Sequence, residues 1–154
     1  MNALKARSDA IVSRLRVLPG AAERLTALSE RARRLPPPRD DERIDANLVR
    51  GCVSRVWLVG EIADGHVQFR ADADSQIVKG LVMLIWEIAS GLPVAELVGA
   101  PDEPMALTAL QLDRQLSPTR LHGMGQVWRR VRELAQPAVT SFQGRVDDPA
   151  SSGS

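Results

Sequence analysis

The stretch Val56-Trp57-Leu58-Val59-Gly60-Glu61-Ile62-Ala63-Asp64-Gly65-His66-Val67-Gln68-Phe69-Arg70-Ala71 decides the fold. Apolar and polar residues alternate on both sides of Asp64-Gly65, the period of strands buried on one face. Asp-Gly is a two-residue pair that tolerates the positive φ of a tight hairpin turn. Val56, Leu58 and Ile62 fall on one side of the first strand, and Trp57, Val59 and Glu61 on the other. In the second, Val67, Phe69 and Ala71 point inward, and His66, Gln68 and Arg70 outward. Two antiparallel strands are marginal alone, so a further strand or packed helices must cover the apolar face. Leu48–Gly51 is a candidate for a short third strand.

Helical patterns surround the hairpin. Ala3–Val17 carries Ile11, Val12 and Leu15 on one face and is broken by Leu18-Pro19-Gly20. Ala21–Arg34 repeats the pattern with Leu25, Leu28 and Ala32, and stops before Pro36-Pro37-Pro38. After the hairpin, Asp74 is the expected N-cap of a helix over Ser75–Ala89. Apolar residues cover most of that helix, so it belongs in the core. Pro93 opens a short helix with Val94, Leu97 and Val98 buried. Met105–Leu112 is a further short helix. Ser117-Pro118 starts the last one, with Leu121, Met124, Val127, Trp128, Val131 and Leu134 at helical spacing. These elements predict one α+β domain over 1–136, a small antiparallel sheet against several helices. A polar, disordered tail is expected over 137–154.

Just before the first strand stands the only cysteine, Cys52. A lone cysteine is by default a small buried hydrophobe. Here Gly51 gives the backbone freedom, Arg50 and Arg55 flank the thiol with positive charge, and a strand begins directly after it. That setting suits chemistry more than packing. The loop leading in, Arg39–Asn47, is dense in charge and reads either as a linker or as part of the site.

The bulk composition narrows the function classes. The chain has 154 residues, 20 basic and 19 acidic, for a net charge of +1. That balance gives no broad pull on a phosphate backbone, and 3% aromatic residues leave little for base stacking. Nucleic acid is therefore not expected as a partner. No apolar run approaches a membrane span, and Met1–Arg16 shows no signal-peptide core. One cysteine allows no internal disulfide, which suits a reducing cytoplasm. His66 and His122 have no zinc-ligand spacing and read as surface or hydrogen-bonded histidines. No metal is expected.

Three motifs carry a resemblance. Gly51-Cys52-Val53-Ser54-Arg55-Val56-Trp57-Leu58 resembles the cysteine segment of the SufE family of sulfur-acceptor proteins. Ala71-Asp72-Ala73-Asp74-Ser75 with Ile77-Val78-Lys79-Gly80-Leu81 is similar to that family's acidic segment and helix start. Leu116-Ser117-Pro118-Thr119-Arg120, followed by Gly123-Met124, is similar to its motif before the last helix. The resemblance runs from about Ala21 to Ala135. Departures are Val53 and Arg55 for two glutamines, Ala73 for a serine, and His122 where asparagine is common. The segment Ala100–Met105 also lacks the usual phenylalanines.

The resemblance implies a fold like that of the IscU-type iron–sulfur scaffold proteins and a role beside a cysteine desulfurase of the SufS or CsdA type. Cys52 would take persulfide sulfur and pass it to a downstream Fe–S scaffold. The protein would be a covalent carrier and activator, not an independent enzyme. It needs no cofactor of its own, since the desulfurase holds the pyridoxal phosphate. Cysteine-loop and partner-contact candidates are Gly51, Arg50, Arg55, Asp74 and Arg120. Arg50 and Arg55 by sequence, and Arg120 by family position, are expected to favour the thiolate. The alternative is a metal or cluster scaffold, which needs about three thiolates where this chain has one. A cysteine hydrolase or peroxidase would need a base beside the thiol, and neither histidine lies in a motif with Cys52.

Overall fold

Asp64 and Gly65 both have positive φ, 53° and 76°, and close the hairpin as a turn of the kind their sequence favours. The computed structural model describes residues 3–52 and 54–152, with no side chains from 137 onward. Strand β1 (Val56–Ala63) pairs antiparallel with β2 (His66–Ala73), from Val56 opposite Ala73 to Ala63 opposite His66. Val56, Leu58, Val67, Phe69, Ala71 and Ala73 are buried on one face, as the alternation requires. Ile62 is 39% exposed, because β1 outruns its helical cover near the turn.

The third strand is not Leu48–Gly51. That segment makes one isolated bridge, Leu48 to Trp57, with Val49 N donating to Val56 O at 2.8 Å. The sheet's third member is β3 (Leu92–Pro93), which pairs antiparallel with β2. Two residues carry no readable period, so only the long-range pairing defines it.

Helix α1 (Ala3–Leu15) buries Leu4, Ile11, Val12 and Leu15. Helix α2 (Ala21–Arg31) ends in a 3-10 turn over Ala32–Arg34. Helix α3 (Gln76–Ala89) is the centre of the core, with Leu81, Val82, Leu84 and Ile85 at 0% exposure. Its Gly80 lets α2 approach: a Cβ there would lie 2.9 Å from Ser29 N and 3.1 Å from Ser29 Cα. Trp86, on the same helix, ties it to the sheet through Nε1 donating to Phe69 O at 2.9 Å.

Two short helices follow, α4 (Val94–Val98) and α5 (Met105–Ala109). The latter stops before the expected Leu112, where Gln111 turns left-handed at φ 61° and a 3-10 turn takes over. Helix α6 (Pro118–Ser152) packs across β1, and a Cβ on Gly60 would collide with its Leu134. Trp128 is buried and donates Nε1 to Pro101 O at 2.8 Å, fastening the segment before α5. Helix α6 continues to Ser152, over most of the span 137–154 for which a disordered tail is expected; residues 153 and 154 lie outside the described residues.

Ser75, not Asp74, caps α3. Ser75 is extended and its hydroxyl accepts from Val78 N at 3.4 Å. Both residues are able caps, and which one serves depends on where the chain leaves β2. Asp74 lies one step too early and turns to the cysteine loop.

Candidate functional site

The cysteine loop is pinned at both ends and docked on α6 between them. At its start, Arg130 of α6 donates to Ala46 O at 2.9 Å, and the bridge to Trp57 holds Leu48. At its end, Arg55 N donates to the Asp74 carboxylate at 3.1 Å. Asp74 N returns a bond to Arg55 O at 3.1 Å. The β1–β2 ladder is thereby extended by one rung to the base of the loop.

A second layer holds the approach segment on the outer face of the sheet. Arg43 pairs with Asp72 at 2.8 Å and lies over the Trp57 ring, 5.2 Å from its centroid. Glu42 pairs with Arg70, and its other oxygen accepts from Arg39 N at 2.8 Å. The bond from the Arg39 backbone holds the Glu42 carboxyl below the usual range, assisted by Arg70. For Asp72, burial pushes the carboxyl up, but Arg43, the Ala73 amide and Lys79 together bring it down.

Between the anchors the loop lies against the first turns of α6. Cys52 is half-buried, and its thiol donates to Gly123 O at 3.4 Å. Gly123 is buried, and a Cβ on it would sit 3.4 Å from Cys52 Sγ and from Cys52 Cα. Gly51 has φ 86°, a conformation glycine adopts without strain. A Cβ on Gly51 would lie 3.0 Å from Gln126 Cγ and 3.6 Å from His122 Nε2. His122, Gly123 and Gln126 therefore form the dock on which Gly51 and Cys52 rest. On the solvent side is a hollow of about 410 Å³, lined by Asp45, Leu48, Val49, Arg50, Ser54 and Arg55 together with the cysteine.

Burial pushes the Cys52 thiol up, and among the described residues no arginine offsets it. The expectation that Arg50, Arg55 and Arg120 favour the thiolate is corrected for this docked pose. Arg50 and Arg55 are exposed, and Arg120 sits at the start of α6 with its amide bonded to Ser117 Oγ at 3.2 Å. Among the described residues their three guanidinium groups make no hydrogen bond or ion pair. The structure thus gathers Gly51, Cys52 and Arg55 around one hollow, with Asp74 bonded to the Arg55 backbone behind it. Arg50 stands on the rim, and Arg120 one turn ahead of the dock.

Sequence reasoning set His122 aside as a surface or hydrogen-bonded residue and gave Gln126 no role. His122 is exposed, but it reaches the loop's glycine across the fold. The one available signal was spacing: residues 122 and 126 are one helical turn apart, on one face, beside a glycine. Among the described residues, no three of His, Cys, Asp and Glu gather as a metal would need. No described helix is long and apolar enough to cross a membrane.

Comparison with known proteins gives a family match and a shared fold. The family model described as SufE, the Fe–S metabolism associated domain, matches residues 9–135. An uncharacterised SufE-like protein of Synechocystis sp. is 34% identical over 103 residues, 67% of this chain. The matched region is 64% of that relative's own length. A hypothetical protein from Thermus thermophilus, solved in solution, has the same fold with a TM-score of 0.72 at 20% identity. That likeness covers 87% of this chain and 96% of the other.

Proposed function

Because the chain belongs to the SufE family of Fe–S metabolism associated domains, we propose that it carries persulfide sulfur on Cys52 for iron–sulfur cluster assembly. A cysteine desulfurase of the SufS or CsdA type is the donor, and an Fe–S scaffold the downstream recipient, in the cytoplasm. The observation that carries the reading is the state of the thiol. The chain's single cysteine is docked as an S–H donor on Gly123 O, in a loop whose two ends are held by Arg130 and Asp74.

A neutral, half-buried thiol resists oxidation and off-target attack, since the thiolate is the reactive form. Transfer requires the loop to leave Gly123, lose the thiol proton and meet the donor persulfide. Glycine at position 51 adopts the docked φ of 86° without strain and is equally free to leave it. Arg50 and Arg55 beside the loop, and Arg120 at the start of α6, make no ion pair among the described residues and offer the donor protein three cations. Such rim charges steer association more than they add affinity.

The test is stimulation of a desulfurase by the wild type and by Cys52→Ser. The carrier reading expects stimulation to vanish with the thiol while the circular dichroism spectrum stays unchanged. Full stimulation by the serine variant would exclude it.

A further inference from the structure

We propose that His122 is the proton acceptor for Cys52, taking the thiol proton as the loop lifts from Gly123. The inference rests on the carrier reading above, in which Cys52 is the attacking sulfur. At rest the thiol hydrogen is directed at the Gly123 carbonyl, 3.4 Å away. A carbonyl accepts a hydrogen bond but does not take a proton at neutral pH, so the docked thiol has no base. His122 immediately precedes Gly123 on the helix. Its Nε2 lies 3.6 Å from the Cβ position of Gly51, the residue next to the thiol. The imidazole is exposed, so it can also exchange its proton with water.

Asp45 shares the hollow with Cys52, but a carboxylate is too weak a base to match a thiol, and an imidazole is the closer match in kind. The charged groups facing His122 are mixed in sign. Asp102 and Glu103, before α5, share a hollow of about 640 Å³ with it, as do Arg129 and Arg132 on its own helix. Arg132 is paired with Asp102 at 3.1 Å, and Arg129 with Glu133 at 3.6 Å. On the cysteine loop the charges are Arg50 and Arg55.

The step balances without an outside oxidant or reductant. Cys52–SH gives its proton to His122 Nε2, leaving a thiolate and an imidazolium. The thiolate's electron pair bonds to the outer sulfur of the donor persulfide R–S–SH. The donor's S–S bond breaks, and its electrons leave on R–S⁻, which recovers the proton held by His122. The products are Cys52–S–SH and R–SH.

The experiment compares the wild type, His122→Asn and His122→Gln over pH 5.5 to 9.5 in two assays. The first is alkylation of Cys52 by iodoacetamide in the protein alone. The second is sulfur transfer from a desulfurase supplied with cysteine. In both, the wild type should be faster than either variant at pH 7 by about tenfold or more. The gap should narrow toward high pH, where the thiolate forms without a base, and the wild-type profile should show an inflection that the variants lack. Superimposable profiles, or a loss by the same factor at every pH, would overturn the assignment, the latter marking a purely structural role. The two readings fail separately. If the alkylation inflection is present but no sulfur reaches Cys52, the carrier reading is lost and the base assignment stands. Transfer with an unchanged pH profile in both variants does the reverse.

Discussion

Replacing Gly51 by alanine should undock the cysteine loop without unfolding the domain. Gly51 is held at φ 86° in the docked pose. A Cβ in the left-handed region costs roughly 1–2 kcal/mol. The added methyl would also stand 3.0 Å from Gln126 Cγ. That contact is with a flexible side chain able to shift, so the backbone contribution dominates. Once the loop leaves α6, residue 51 is free to adopt negative φ and the cost disappears. The substitution therefore acts on the docked–undocked equilibrium, and roughly 1–2 kcal/mol corresponds to about a 5- to 30-fold change in that ratio. Alkylation of Cys52 by iodoacetamide at fixed pH, measured in a His122→Asn background so that no imidazole assists, reads the undocked population, because the docked thiol is half-buried and bonded to Gly123 O. The expected result is a rate increase of about 5- to 30-fold, bounded above by the rate of the same cysteine in the denatured chain. The melting temperature should fall by no more than the loop's docking contributes. Adding Gln126→Ala should leave the rate high, since the backbone cost remains. An alkylation rate unchanged or slowed in Gly51→Ala would refute the reasoning.

Asp74→Ala and Ser75→Ala should separate latch from cap. The first removes the acceptor for Arg55 N and should speed Cys52 alkylation. The second removes the α3 cap and should cost about 1 kcal/mol in thermal or urea unfolding, with alkylation little changed. Acid should loosen the outer face of the sheet. Glu42 and Asp72 have folded-state pKa values below their unfolded ones. The stability they contribute is complete above the unfolded values and is lost as pH falls through the folded ones. Melting temperature should therefore drop below about pH 4, and Asp72→Asn should show a shallower drop than the wild type.

The hairpin and the core helices were legible because their signals are local. Asp64-Gly65 admits one kind of turn, and α3 is apolar on nearly every side. Features that depend on contacts between distant segments were not. The Cys52–Gly123 bond joins residues 71 positions apart, and nothing in either segment alone announces it. The thiol's electrostatics followed the same course. Adjacent arginines in sequence suggested a favoured thiolate, yet in the fold both are exposed to solvent while the sulfur is partly buried. Asp74 and Ser75 are both cap-competent in sequence, and the exit angle of β2, a tertiary property, gives the cap to Ser75. Leu92–Pro93 is too short for a period, and β2 recruits it through Gly91 N donating to Val67 O at 2.6 Å.

The most direct measurement is mass spectrometry of the intact protein after incubation with a cysteine desulfurase and cysteine, followed by peptide mapping. The account predicts the mass of one added sulfur atom, located on Cys52 and released by a thiol reductant. A protein that stays unmodified at Cys52, while the same desulfurase loads another acceptor, would contradict it.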